Sequence, residues 1–297
     1  MKKGLILVLF LIAAVSVKGN IALAASYEAE ADKKAVAAPT ASMTPTPKPA
    51  PLKVVIPIEK MAKVIPWLPL DEKAIPLTTF IGINSSVPPF DNPLVRKAFS
   101  LAIDRQRISD GEKTRGRDSS VPATSFIPPQ VLGVDLYQAV GLDFSPELAK
   151  KALTDAGFSD VSKFPKVEIV FYEKSADLVK AYQEMWKFSL GVEVTLVPVK
   201  SGEELNKYIE DRKPGLFIQG MWIADFIDPH NFTFDTFLHP DSNYPKPVDS
   251  EFEEIITKAK AAVSTPFERQ RLYIEVEKML CEVKVYVIPV THAFLTK

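Results

Sequence analysis

"KVEIVFYEKSADLVKAYQEMWKFSLGVEVTLVPVKSGEELNKYIEDRKPGLFIQGMW", residues 166–222, decides the fold class. "KVEIVFY" (166–172) is rich in β-branched and aromatic residues and predicts a strand, and "SADLVKAYQEMWKFSL" predicts a helix. "VEVTLVPV" (192–199) is a second strand. "SGEELNKYIEDR" is a helix opened by a Ser201…Glu204 capping box, and "GLFIQGMW" (215–222) is a third strand. Strand, helix, strand, helix, strand with short connections implies parallel strands joined by right-handed crossovers. The class is α/β, with a mixed, mostly parallel sheet flanked by helices.

Outward from this core, "TTFIGINSS" (78–86) is β-rich and is ended by Pro88-Pro89. "NPLVRKAFSLAIDRQRI" (92–108) predicts one helix, with Asn92 as N-cap and Pro93 at the first helical position. Val95, Phe99, Ala102 and Ile103 form its buried face. Residues 109–131 read as loop, and Ser145-Pro146 opens a helix that Gly157 closes. Towards the C-terminus, a Ser250…Glu253 capping box opens one long helix. Thr265, Pro266 and Glu268 open another, and "VYVIPV" (285–290) is a closing strand.

At the N-terminus, Lys2 and Lys3 precede an apolar run from Leu5 to Val17, and Ala22-Leu23-Ala24 offers small residues for cleavage. This pattern predicts a signal peptide over 1–24 and an exported protein, periplasmic or extracellular. The run is too short to span a bilayer, so no stable membrane span is expected after cleavage. Residues 25–53 are dominated by Ala, Pro, Thr and Lys and predict a disordered tether. Residues 54–297 are then a folded α/β lobe. The chain has 36 basic and 37 acidic residues, and removal of residues 1–24 takes three lysines and no acid. A mildly acidic chain lacks the basic stripe that nucleic-acid binding needs. Its single cysteine, Cys281, forms no internal disulfide and lies in an apolar helical stripe, as a buried structural thiol would.

"GMWIADFIDPHNF" (220–232) concentrates the chemistry. It lies where the third strand leaves the sheet, the edge at which open α/β sheets bind ligands. Asp225, Asp228 and His230 could ligate a metal, but no HxxxH, CxxC or calcium-loop spacing accompanies them. An enzyme would want a nucleophile elbow, a P-loop or a glycine-rich dinucleotide motif, and none occurs. No catalytic residue, metal or cofactor is therefore assigned. A binding edge fits best: Trp222 offers a rigid apolar face, and Asp225 offers a carboxylate for a ligand ammonium. The bland reading has Trp222 in the core and Asp225 in a turn.

"VPPFDNPLVRKAFSLAIDRQRI" resembles a segment of the family 5 extracellular solute-binding proteins, the oligopeptide-, dipeptide- and nickel-binding components of ABC importers. "FIPPQVLGVD", "SPELAKKALTDAGF", "GVEVTLVPV", "GMWIADFIDPHNF" and the stretch from Ser250 to "VIPVTH" come after it in the family's order. The resemblance implies a lobe of the type II periplasmic-binding-protein kind, corresponding to the family's second lobe with the first largely absent. It also implies a peptide or other small solute as ligand. By the same resemblance Asp225 takes the ligand's α-ammonium, Trp222 and Ile223 lie along the peptide, and Asp228 to Asn231 shape the loop. The implied partners are an ABC permease and a second lobe or copy covering the cleft. The alternative is an accessory or degenerate lobe that no longer binds solute alone.

Overall fold

The computed structural model describes residues 74–133, 140–218 and 220–296. The expected signal segment, the expected tether and residues 54–73 lie outside the described residues. The chain enters on a long strand, β1 (Ala74–Ile83), followed by α1 (Pro93–Leu101), α2 (Arg105–Thr114), the two-residue β2 (Val121–Pro122) and the short α3 (Pro129–Leu132). Next come α4 (Pro146–Asp155), β3 (Val167–Tyr172), α5 (Ala176–Leu190), β4 (Val194–Val199), α6 (Gly202–Arg212) and β5 (Leu216–Ile218). The last elements are β6 (Met221–Ile223), α7 (Pro229–Phe237), α8 (Ser250–Ala261), α9 (Pro266–Lys278) and β7 (Val287–Thr296).

The strands form one sheet in the order β2-β7-β1-β5-β3-β4, with β6 also paired to β1. The expected parallel unit is present, since β3 pairs in parallel with both β4 and β5. The order β5-β3-β4 makes the two crossovers run in opposite directions, so right-handed connections put α5 and α6 on opposite faces. Two buried clusters result. Ile81, Ile169 and Leu216 share one with Tyr182 and Trp186 of α5; Phe80, Val170 and Phe217 share the other with Leu205 and Ile209 of α6. Neighbours in a strand alternate between clusters because side chains alternate across a pleat.

The sheet is less parallel than the sequence suggests. Beside the two parallel pairings, β1 pairs antiparallel with β5, β6 and β7, and β2 pairs antiparallel with β7. The closing strand starts at Val287, not Val285, and continues to Thr296 alongside nearly all of β1. Gly82 stands where the Phe217 ring crosses β1, and any Cβ there would collide with that ring.

Several local expectations are corrected. The single helix over 92–108 is two, because Asp104 takes an extended conformation and caps α2 by accepting from Arg107 N–H at 3.0 Å. α2 then occupies the first part of the stretch read as loop. Asn92 caps α1 as expected, with Val95, Phe99, Ala102 and Ile103 buried. Ser201 caps α6, but the Glu204 carboxylate accepts from Lys200 N–H at 2.7 Å instead of closing the box on Ser201. Asp249, not Ser250, caps α8, bonding the N–H groups of Glu251 and Phe252. Thr265 precedes α9 without a side-chain cap bond.

Candidate ligand-binding site

The predicted third strand breaks in two. β5 ends at Ile218 opposite Phe171 of β3, and β6 resumes at Met221, paired among the described residues only to β1. Gly220, at φ +109°, supplies the left-handed backbone of the break. Trp222 therefore lies beyond the carboxyl edge of β3, opposite Thr78 of β1. The Ala224 N–H bonds the carbonyl of Pro76 at 3.1 Å and carries the chain past the end of β6.

Helix α7 anchors the loop that leaves β6. Asp228 is its N-cap and Pro229 its first residue; the Asp228 carboxylate accepts from His230 N–H at 2.9 Å and from Arg269 Nη2 at 2.7 Å. Partial burial raises the Asp228 pKa, but the hydrogen bond from Arg269, that of His230 N–H and the guanidinium charge outweigh it, holding the carboxyl below its usual range. One turn into α7, Asn231 is buried and its side chain is shared three ways. Oδ1 accepts the Trp222 indole N–H at 3.1 Å and the Asp225 backbone N–H at 3.3 Å, while Nδ2 donates to Asp235 Oδ2 at 3.1 Å. A buried amide with both ends bonded has one orientation, and it imposes that order on the loop.

Trp222 and Asp225 together line a cleft of about 560 Å³. Tyr172 at the end of β3 and Asn206 of α6 reach it from the parallel strands' carboxyl edge, and Thr236 and Asp241 reach it from beyond Asn231. Trp222 is half-buried against the α6 side of the core, whereas Asp225 is exposed. Among the described residues no cation or hydrogen-bond donor meets the Asp225 carboxylate. Ile223 alternates to the other face of β6 and stays outside the cleft, forming an exposed apolar rim with Phe226 and Ile227. Phe232 and Phe237 of α7 are fully buried in the core, whereas Phe234 is half-buried. Among the described residues no three His, Cys, Asp or Glu side chains are grouped as metal ligands.

Sequence reasoning missed Tyr172, Asn206, Asp235, Thr236, His239 and Asp241 as cleft residues. Of these, Asp235 alone carried a local signal, its i+4 spacing from Asn231 on one helix face.

The family model for bacterial extracellular solute-binding proteins, family 5 (middle) matches residues 24–244. The periplasmic oligopeptide-binding protein OppA of Salmonella typhimurium is 31% identical over 241 residues, 76% of this chain and 42% of that protein. The chain thus spans about two-fifths of this relative. Among solved structures, a periplasmic oligopeptide-binding protein of Borrelia burgdorferi superposes with a TM-score of 0.62 at 24% identity, covering 76% of this chain and 46% of its own. A peptide-binding protein of a peptide ABC transporter superposes with a TM-score of 0.57 at 23% identity, over 73% of this chain and 99% of its own. These likenesses give the fold of a periplasmic binding protein. With the cleft at the carboxyl edge of β3 and a matching model across most of its length, the chain belongs to the family 5 bacterial extracellular solute-binding proteins.

Proposed function

We propose that this lobe binds peptides, without catalysis, as the solute-binding component of an ABC importer. The carrying observation is the exposed Asp225 carboxylate beside Trp222 in the cleft, both held by the buried amide of Asn231. Asp225 takes the peptide's α-ammonium through charge-assisted hydrogen bonds, and the Trp222 face lies along the backbone of the bound peptide. Ile223, outside the cleft, belongs to the rim that meets whatever covers the peptide: a second lobe or copy. The oligopeptide-binding name of the Salmonella relative supports this ligand class. Export and delivery to a permease belong to the same reading. Titration calorimetry of the full chain with Ala-Ala-Ala tests it. Binding heat that Asp225→Ala abolishes is expected; no heat, or equal heat from the variant, overturns it.

A further inference from the structure

Three exposed apolar side chains fall within five residues where the chain leaves β6: Ile223, Phe226 and Ile227, at 42, 44 and 47% exposure. Other large apolar side chains on the described surface are scattered in ones and twos, as Phe188 on α5 and Val248 before α8 are. Single exposed apolar groups are ordinary, whereas a cluster marks a surface that something covers. None of the three lines the cleft. The rim is anchored at both ends. Ala224 N–H bonds the Pro76 carbonyl at 3.1 Å, and Asp228, just after Ile227, is bonded to Arg269 Nη2 at 2.7 Å. A surface held in this way is presented ready-made to whatever packs on it.

The chain itself brings an occupant to this place. Leu77 of β1 pairs with Ile223, and β1 begins three residues earlier, at Ala74. That is roughly 10 Å of strand. Because β6 runs antiparallel to β1, the backbone that continues towards Phe226 heads for the end at which β1 begins. Residues 54–70, "VVIPIEKMAKVIPWLPL", precede that end by only Asp71, Glu72 and Lys73, and lie outside the described residues. Eleven of these seventeen residues are apolar, Trp67 among them; three are prolines and three are charged. Apolar surface on that scale gains free energy by leaving water. A three-residue tether presents it to the rim at an effective concentration of about a millimolar, which a second copy in dilute solution does not match.

We propose that residues 54–70 dock on the apolar rim of Ile223, Phe226 and Ile227 of the same chain, with Trp67 as the main anchor. A tryptophan supplies the largest apolar face at a small cost in side-chain freedom. The contact goes beyond the proposed peptide binding and needs no peptide. A second lobe or copy that meets the rim has to displace the segment or pack over it.

The test is limited trypsin digestion of the full chain, with cleavage after Lys60 and Lys63 followed by mass spectrometry. Three proteins are compared: wild type, the rim double variant Phe226→Ser/Ile227→Ser, and Trp67→Ser. Cleavage at both lysines is expected to be about tenfold slower in wild type than in either variant, since a docked segment is cut only when it opens. Slow thiol labelling of buried Cys281, equal in all three, verifies that the variants keep the fold. Equal cleavage rates in the three proteins overturn the docking. Protection lost in Trp67→Ser but kept in the rim variant overturns this site. Protection that strengthens with protein concentration, alongside a dimer in light scattering, overturns it in favour of a second copy. Peptide enters none of these readouts, so the calorimetry with Ala-Ala-Ala stands or falls separately.

Discussion

The indole N–H of Trp222 and the side-chain amide of Asn231 are joined at 3.1 Å, across nine residues of chain, and the same amide oxygen takes the backbone N–H of Asp225. One buried side chain on a helix therefore sets both the apolar and the charged element of the cleft. Asn231 thereby positions Trp222 and Asp225, the two residues proposed to contact the peptide.

Removal of that amide should loosen both. Asn231→Ala leaves the Trp222 and Asp225 N–H groups and the Asp235 carboxylate to find water, a loss of about 1–2 kcal/mol. Urea denaturation followed by far-UV dichroism checks the stability loss. Peptide affinity should fall with it, and Trp222 fluorescence should shift to the red.

Glu277 on α9 is fully buried, and its carboxylate accepts from the N–H groups of Phe126 at 2.6 Å and Ile127 at 3.0 Å. Burial pushes its carboxyl up to about 7, against those two bonds. A carboxyl with a raised folded pKa contributes stability that is complete below its ordinary 4.5 and is lost as pH rises through about 7. Relative to wild type, Glu277→Gln should gain on the order of 3 kcal/mol between pH 4 and pH 8. Urea midpoints at those two pH values measure it; a constant difference refutes it.

His292 on β7 titrates with the opposite sign. It is buried with Nδ1 3.0 Å from the Thr78 hydroxyl, and burial holds its pKa down at about 3. Its contribution is present above the ordinary 6.5 and is lost as pH falls towards 3. His292→Asn, which can keep a polar atom near Thr78, should narrow its deficit against wild type as pH falls from 7 to 4. Thermal unfolding across that range is the measurement.

Cys281 should be inert in the folded protein. Its thiol is buried and donates to Glu277 Oε2 at 3.6 Å; burial first, then the charge and hydrogen bond of Glu277, push its pKa well above the ordinary thiol range. A thiol reagent at pH 8 should label the chain slowly in buffer and rapidly in denaturant.

Much of the architecture was legible in contiguous residues. Caps and hydrophobic spacing are local, so Asn92 before α1, Ser201 before α6 and the parallel β3, β4 and β5 could be read along the chain. Trp222 and Asp225, close in sequence, do line one cleft, while the loop-shaping part of Asp228 and Asn231 came from the family resemblance and not from local spacing. Capping failed where two acceptors compete: Asp249, one residue before Ser250, wins because its carboxylate reaches two N–H groups.

Tertiary structure alone decided the rest. The antiparallel pairing of β1 with β7 joins residues about 200 positions apart, and no local pattern names the partner of an edge. The split of β5 from β6 depends on β3 ending at the sheet's carboxyl edge while β1 runs on. Tyr172, Asn206, Thr236 and Asp241 become one cleft because separate elements converge there. The physical reason is that sequence spacing governs hydrogen bonds within a helix turn or a strand. Which polar groups end up buried, paired or open to a ligand depends on packing between distant segments.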